Sequence, residues 1–257
     1  MSTSKAFDLD GRVAIVTGGN GGIGLGMATG LAQAGAALLI AGRNATKNAA
    51  AVKALQALGA QATAVEADVT GQDACRALIE AALQRFGRLD ILVNNAGTNI
   101  RKQPQDYTPE EWKSVLDTNL TSAFLCSQAA YPAMLQAGGG KIINIGSMLS
   151  IFGAAFAGPY GASKGGMVQL TKSLASAWAK DNIQVNAVLP GWIDTDLTRQ
   201  ARKDVPGLHE RVLARTPAGR WGEPSDFAGI AVFLAGSAAD FVTGATIAVD
   251  GGYSSQG

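Results

Sequence analysis

Short apolar runs recur along the whole chain, and each is followed by glycine, asparagine, aspartate, serine or proline. Their hydrophobic residues are consecutive and do not alternate with polar ones, which is typical of strands that are covered on both faces of a sheet. We predict strands at 12–17, 37–41, 62–66, 89–93, 183–188 and 245–249, and a central strand containing Ile142, Ile143 and Ile145.

Longer segments of helical pattern separate these runs, and many of them end at glycine. They predict helices at about 22–34, 73–86, 109–117, 120–136 and 224–235. A further helix follows the second strand and ends at residue 58, and a long one begins at residue 159. Strands that alternate with helices pair in parallel through crossovers. The fold class is therefore α/β, a three-layer doubly wound Rossmann fold with a seven-stranded parallel sheet. We expect one domain over 1–257, in which the charged segment 192–220 forms a substrate lid.

Composition narrows the function classes. The 257 residues carry a net charge of +1, which gives no electrostatic footprint for nucleic acid or an anionic membrane. No stretch approaches the roughly 18 apolar residues of a membrane span, and the N-terminus does not resemble a signal peptide. Cys75 and Cys126 fit buried thiols in a reducing compartment, so we expect a cytoplasmic protein. His209 is the single histidine, and metal catalysis has no support.

A glycine-rich loop follows the first predicted strand. Gly18, Gly22 and Gly24 have the spacing G-x-x-x-G-x-G and precede a helix, whose N-terminal amides favour an anion. By itself such a loop can be a plain tight turn. In a chain of alternating strands and helices, this position indicates that the loop holds the pyrophosphate of a dinucleotide.

The end of the second strand should contact the ribose of the adenosine. A carboxylate there repels a 2′-phosphate, whereas an arginine attracts it. The chain has Arg43 at this position and no acid until Glu66, so NADP(H) is favoured and NAD(H) is the alternative. The alternative that Arg43 is only a solvated charge on the loop stays open, because residue 20 is an asparagine and supplies no second cation to support it. Asp68 and Val69 are candidates for the adenine edge, and Asp68 could equally be a turn residue.

Candidate chemistry lies at the central strand and the helix after it. Tyr160 and Lys164 are four residues apart on that helix and share a face, and Ser147 ends the strand. A nearby ammonium favours the phenolate form of tyrosine, so Tyr160 can transfer a proton to or from a substrate oxygen. Ser147 can hydrogen-bond that oxygen. Considered by itself, a Tyr-x-x-x-Lys motif could also be two side chains on the solvent-exposed face of a helix, without a catalytic role.

Together, Gly18–Gly24, Asn94–Gly97, Asn119, Ser147, Tyr160, Lys164 and Pro190–Gly191 resemble the short-chain dehydrogenase/reductase family. The resemblance covers essentially the whole chain and implies a catalytic tetrad of Asn119, Ser147, Tyr160 and Lys164, with Asn119 holding a water that links Lys164 to solvent. It also implies a homotetramer. The expected cofactor contacts are Gly18, Asn20, Gly22, Ile23, Gly24, Arg43, Asn44, Asp68, Val69, Asn95, Ala96, Gly97, Tyr160, Lys164, Pro190, Gly191, Ile193 and Thr195.

The segments 140–150, 178–180, 217–222 and 248–252 resemble a narrower branch, that of 2-deoxy-gluconate 3-dehydrogenases and gluconate 5-dehydrogenases. We therefore expect oxidoreduction between a secondary alcohol and a ketone on a sugar acid, polyol or similar small carbonyl compound. Arg101 could bind a carboxylate or could face solvent. The predicted substrate contacts are Ser147, Leu149, Tyr160, Trp192 and Arg101. A 3-oxoacyl carrier-protein reductase and a catalytically silent dinucleotide-binding regulator are the alternatives.

Overall fold

Seven parallel strands form one sheet in the order β3-β2-β1-β4-β5-β6-β7. The computed structural model describes residues 3–256 of the chain. The strands are β1 (Val13–Thr17), β2 (Ala37–Gly42), β3 (Ala62–Glu66), β4 (Ile91–Asn94), β5 (Gly140–Ile145), β6 (Ile183–Pro190) and β7 (Thr246–Val249). The order reverses between β1 and β4, which places a crevice beyond the carboxyl ends of these two strands. The predicted α/β class and seven-stranded parallel sheet are confirmed.

Helices cover both faces of the sheet. They are α1 (Gly22–Gln33), α2 (Ala45–Gln56), α3 (Gln72–Phe86), α4 (Pro109–Leu116), α5 (Ser122–Gln136), α6 (Gly158–Trp178), α7 (Asp196–Asp204), α8 (Leu208–Arg215) and α9 (Ala228–Ala235). On one face, Met27 and Leu31 of α1 pack with Phe227 against β1, β2 and β4. On the other, α3, α5 and α6 cover the same strands, and the free thiols Cys75 and Cys126 are buried there.

Most element boundaries differ from the predicted ones by a few residues, for local reasons. Strand β6 continues to Pro190 because Leu189 and Pro190 pair with β7. The predicted helix from residue 224 begins as a 3₁₀ turn, Pro224–Phe227, before α9. A π-helical turn, Asp117–Thr121, joins α4 to α5 and contains Asn119. Such π turns are frequent at functional sites.

The predicted lid segment, residues 192–220, contains α7 and α8. Ala201, Leu208, Val212 and Trp221 form a small hydrophobic cluster of its own, separate from the two faces of the sheet. The two ends of the segment meet, because the Asp194 amide donates to the Gly222 carbonyl at 2.8 Å and the Gly222 amide to the Trp192 carbonyl at 2.9 Å. In the part of the chain described, no helix combines the length and apolar character that a membrane crossing requires.

Candidate active site

A cleft of about 630 Å³ opens along the carboxyl ends of the central strands. It brings together the glycine loop after β1, the ends of β2 to β6, and the first turn of α7. All the predicted cofactor contacts except Gly24 line it, and so do Ser147, Tyr160 and Lys164. The motifs that lie far apart in the sequence therefore converge on one site.

The glycine loop has the shape that a pyrophosphate site requires. Gly18 and Gly22 have φ values of +62° and +51°, in the region that favours glycine. A Cβ on Gly24 would lie 2.4 Å from Asn95 Nδ2 and 2.5 Å from the Gly18 carbonyl oxygen. Gly24 thus allows α1 to pack closely behind the loop, and the N-terminus of α1 faces the cleft where its free amides can bind an anion.

Thr17 and Asn95 fasten the loop to the neighbouring strand. The backbone amides of Asn95 and Ala96 donate to the Thr17 hydroxyl at 3.0 and 3.1 Å, and Asn95 Nδ2 donates to the Thr17 and Gly18 carbonyls at 3.0 Å. Sequence reasoning assigned Asn95 to the cofactor and missed Thr17. The sequence feature that could have identified Thr17 is its position as the one hydroxyl residue at the end of a strand that is otherwise apolar.

At the end of β2, two asparagine side chains form a hydrogen-bonded pair beside Gly42. Asn20 Nδ2 donates to Asn48 Oδ1 at 2.6 Å, and Asn48 Nδ2 donates to the Gly42 carbonyl at 2.8 Å. A Cβ on Gly42 would come within 2.4 Å of Asn20 Nδ2. No side chain fits at position 42 without a shift, and the neighbouring Asn20 and Asn48 are uncharged, so this part of the cleft is neutral.

Cations line the cleft beyond this neutral patch. Arg43 and Lys47 are both exposed and lie at the same end, on either side of Asn44, which caps α2 by accepting from the Lys47 amide at 2.9 Å. Asp68 accepts from the Thr70 amide and hydroxyl at 3.1 and 2.9 Å, which lowers its pKa. Asp68 is thus a turn residue that also lines the cleft. Lys47 was not predicted.

The opposite end of the cleft holds the candidate catalytic groups. Tyr160 and Lys164 lie in the first two turns of α6, and Ser147 lies just after β5. Lys164 Nζ donates to the Ile145 carbonyl at 2.7 Å and lies 5.7 Å from the centre of the Tyr160 ring. The Leu149 amide donates to Ser147 Oγ at 3.1 Å, which fixes the serine side chain.

Burial and neighbouring groups set the protonation of these residues. Burial raises the pKa of the Tyr160 phenol, while a hydrogen bond with Ser147 and the charge of Arg101 oppose the increase. Burial also lowers the pKa of Lys164 from 10.5 to about 8. Lys164 can therefore change protonation close to neutral pH, which suits a group that exchanges protons with its surroundings.

Asn119 lies behind Lys164 and is fully buried. Its Oδ1 accepts from the Thr98 amide at 2.7 Å, and its Nδ2 donates to the Thr98 carbonyl and to Ser163 Oγ, each at 3.0 Å. A Cβ on Gly97 would lie 3.5 Å from Asn119 Oδ1 and 3.7 Å from Lys164 Nζ. The missing side chain at Gly97 therefore leaves space where Asn119 and Lys164 approach each other.

A buried polar network holds α6 against the sheet below the site. Asn94 Nδ2 donates to Asn144 Oδ1 at 2.8 Å and to Ser127 Oγ at 3.0 Å, and Asn144 Nδ2 donates to Thr171 Oγ1 at 2.9 Å. The network links β4, β5, α5 and α6, so it fixes where α6 presents its first turns. Sequence reasoning did not find Ser127, Asn144 or Thr171, whose partners are distant in the chain.

Of the predicted substrate contacts, Arg101 and Leu149 are not among the residues that line the cleft, and Arg101 contacts the lid segment. Its side chain is 13% exposed, Nη1 lies 3.5 Å from Asp204 Oδ2, and Nη2 donates to the Leu197 carbonyl at 3.3 Å. The guanidinium is close enough to affect the pKa of Tyr160. Leu149 follows Ser147 in a short 3₁₀ turn, Met148–Ser150, beside the catalytic end.

Trp192 lies outside the main cleft. It lines a second cavity of about 260 Å³ and packs edge-on against Trp221, with ring centres 5.7 Å apart. His209 is exposed, and its ring stacks on that of Trp221 with the ring centres 6.1 Å apart. Between residues 3 and 256, no cluster of three or more His, Cys, Asp or Glu side chains could hold a metal ion.

Comparison with known proteins gives a consistent result. A family model described as Enoyl-(Acyl carrier protein) reductase matches residues 18–254. The chain is 47% identical to the 2-dehydro-3-deoxy-D-gluconate 5-dehydrogenase of Escherichia coli over 250 residues, which are 97% of this chain and 98% of that one. It is 38% identical to the gluconate 5-dehydrogenase of Gluconobacter oxydans, with 98% of each chain covered.

Among solved structures, the gluconate 5-dehydrogenase of Burkholderia cenocepacia, in complex with NADP and tartrate, superimposes with a TM-score of 0.93 at 41% identity. The alignment covers 99% of each chain. The similarity therefore extends over the sheet, the cleft and the lid segment alike.

Proposed function

The chain belongs to the short-chain dehydrogenase/reductase family, and from that premise we propose that it is an NADP(H)-preferring dehydrogenase of a sugar acid. The reaction interconverts a secondary alcohol and a ketone. A 2-dehydro-3-deoxy-gluconate or a gluconate, oxidised at carbon 5, is the proposed substrate, as the names of the similar proteins indicate. The observation that carries the proposal is the common cleft, in which the glycine loop and Tyr160 line one space.

The residues at the cofactor end fit a nicotinamide dinucleotide. The N-terminus of α1 and the left-handed Gly18 and Gly22 suit the pyrophosphate. The neutral patch around Asn20, with Arg43 beside it, accommodates a 2′-phosphate that a carboxylate would repel. When bound, the nicotinamide supplies the hydride for reduction or accepts it in oxidation.

Tyr160 is the proposed acid and base. During oxidation it takes the proton of the substrate hydroxyl, and during reduction it returns a proton to the carbonyl oxygen. Ser147 donates a hydrogen bond to the same oxygen and stabilises its developing charge. Lys164, with a pKa near 8, passes the proton onward into the space between Gly97 and Asn119, which suits a water.

Arg101 is the proposed site for the carboxylate of the substrate. Its guanidinium can form two parallel hydrogen bonds with a carboxylate, a geometry that a neutral sugar cannot use. The Asp204 carboxylate is its partner in this structure, which supports the affinity of this position for such a group. The lid segment carries Asp204, so binding and lid movement are coupled in this proposal.

We also propose a cytoplasmic homotetramer. Phe124 and Leu135 of α5 and Phe241 before β7 are large apolar side chains on the surface, with exposures of 41%, 48% and 103%. Such residues are frequent where subunits pack. The free thiols Cys75 and Cys126, with sulfur atoms 3.4 Å apart, are consistent with a reducing compartment.

The experiment is a spectrophotometric screen with NADP⁺ and NAD⁺. Gluconate, 2-dehydro-3-deoxy-gluconate, neutral polyols, cyclic alcohols and 3-hydroxyacyl thioesters are compared at equal concentration. We expect a sugar acid with NADP⁺ to have the highest kcat/KM. Turnover confined to acyl thioesters would replace this proposal with a carrier-protein reductase, and no turnover on any compound would favour a regulator.

A further inference from the structure

An ion pair crosses the mouth of the cleft at its adenosine end. Lys47 Nζ, in the first turn of α2, lies 2.9 Å from Oδ2 of Asp196, the first residue of α7. Both residues line the cleft, one from each side. In this structure the pair connects the adenosine end of the site to the helix that begins the lid segment.

Lys47 is a second cation that lines the cleft together with Arg43. It is four residues after Arg43, lines the same end of the cleft, and is separated from Arg43 by the cap residue Asn44. A phosphate monoester carries a charge of about −1.5 to −2 near neutral pH and offers three strong acceptor oxygens. One exposed guanidinium leaves some of these acceptors without a charged donor, and Lys47 can supply it.

We infer that Lys47 is the second cation for the 2′-phosphate of the cofactor, and that its ion pair with Asp196 transmits occupancy of that site to the lid segment. The inference rests on the proposed function for the identity of the dinucleotide. NADP(H) takes Lys47 from Asp196 and releases the start of α7 from α2. NAD(H), which lacks the phosphate, leaves the ion pair in place.

Lys47 can exchange Asp196 for the phosphate because the ion pair is weak and each of the two residues has another charged partner. The side chains of Lys47 and Asp196 are 58% and 76% exposed, and exposed ion pairs contribute little to stability. The doubly charged phosphate is the stronger partner for Lys47. Asp196 keeps Arg199, whose Nη1 lies 3.3 Å away, and the favourable N-terminus of α7. Neither charge is left unpaired when the phosphate binds.

Binding constants of the intact enzyme for NADPH and NADH test the inference without turnover. In Lys47→Met we expect the Kd for NADPH to rise about five- to ten-fold, because one charge-assisted contact is lost, while the Kd for NADH stays within about two-fold. Lys53→Met, which removes the same charge from the exposed surface of the same helix, is the matched control and should change neither constant.

Asp196→Asn gives the sharper result. Removing the competitor of the phosphate should lower the Kd for NADPH several-fold and leave NADH unchanged. In the double variant Lys47→Met/Asp196→Asn this gain should disappear, because Asp196 acts through Lys47. A gain of equal size in the double variant would instead mean that Asp196 repels the phosphate directly, and it would overturn the inference.

Hydrogen exchange of residues 196–204 reports on the lid helix itself. NADPH should increase amide exchange at the start of α7 relative to NADH in the wild type, and the two cofactors should give the same exchange in Lys47→Met. Equal exchange in the wild type contradicts the coupling. If neither dinucleotide binds, the proposed function fails; if both bind and Lys47→Met keeps the discrimination of the wild type, only this inference fails.

Discussion

The cofactor end of the cleft and its lid end are built from different contacts. At the cofactor end, Thr17, Asn20 and Asn95 make partly buried hydrogen bonds between uncharged groups that are far apart in the sequence. From the lid segment, Asp196 and Asp204 form ion pairs with Lys47 and Arg101. The Lys47–Asp196 pair is exposed, so water can screen it. The first kind of contact fixes a shape, whereas the second can be exchanged for the anionic group of a ligand.

This difference assigns separate tasks to the two ends. In the proposed function, the hydrogen bonds of the cofactor end hold the dinucleotide in one position relative to Tyr160, as hydride transfer requires. In the same proposal, a lid segment held by exchangeable ion pairs admits substrate and releases product. Tyr160 and Lys164 lie at the catalytic end of the cleft, so variants there should damage turnover most, whereas Arg43 and Arg101 variants should each affect one ligand.

Tyr160→Phe should have the largest effect. Without the phenolic hydroxyl no group is placed to transfer the proton, so kcat should fall about 10³-fold or more, while the Kd for NADPH changes less than about two-fold. Steady-state kinetics and a fluorescence titration measure the two quantities. Tyr131→Phe, which removes a hydroxyl that donates to Asp181 away from the cleft, is the control and should keep full turnover.

Lys164→Met should lower kcat and raise the free energy of unfolding. We expect kcat to fall about 10²-fold, within the usual range for general acid–base catalysis. The folded pKa of about 8 lies below the ordinary 10.5, so the charged lysine costs folding free energy at pH 7. That cost is fully present below pH 8 and disappears as the pH rises to 10.5, because the unfolded chain binds the extra proton only in this window.

The variant removes this cost, so its free energy of unfolding should exceed that of the wild type by about 3 kcal/mol at pH 7, less the lost hydrogen bond to Ile145. The difference should shrink as the pH rises from 8 to 10.5. Urea denaturation at pH 7 and pH 10 measures it. A difference that is independent of pH would show that Lys164 is not the group that titrates.

Arg43→Ala tests the cofactor end by itself. We expect the Kd for NADPH to rise about 10- to 100-fold and that for NADH to change little, because only NADPH presents a 2′-phosphate to the guanidinium. Substrate preference should be unaffected. An equal rise in Kd for both cofactors would show that Arg43 supports the structure of the site and does not select the cofactor.

Arg101→Gln should give the smallest effect, confined to the lid end. The KM for a sugar acid should rise about ten-fold, while that of a neutral polyol stays constant, because only the acid uses the charge. Lys102→Met is the matched control, since Lys102 pairs with Glu111. If both kinds of substrate lost affinity alike, Arg101 would be a structural contact of the lid.

The residues that line the cofactor end could be brought together from the sequence because their placement is encoded locally. Gly18, Gly22 and Arg43 follow strands directly, and parallel strands bring their carboxyl ends together in any fold of this type. The spacing of Tyr160 and Lys164 on one helix is local as well. These residues could be placed before any distance was known.

The rest depends on contacts between distant residues. Lys47 and Asp196 are 149 positions apart, and neither forms a motif. The burial of Asn119 follows from a π turn that the helical pattern does not reveal. The packing of Trp192 on Trp221 beside a second cavity could not be read from the sequence either, because it depends on the separate hydrophobic cluster of the lid segment, and its contact with substrate stays a prediction.

In the proposed function, both ends of the cleft serve one hydride transfer on a sugar acid. The most direct test uses a gluconate or 2-dehydro-3-deoxy-gluconate that carries deuterium on the carbon of the reacting hydroxyl, with NADP⁺ and the wild-type enzyme. The deuterium should appear at carbon 4 of the nicotinamide in NADPH, and turnover should slow where hydride transfer limits the rate. NADPH that forms without deuterium would exclude direct hydride transfer from this carbon.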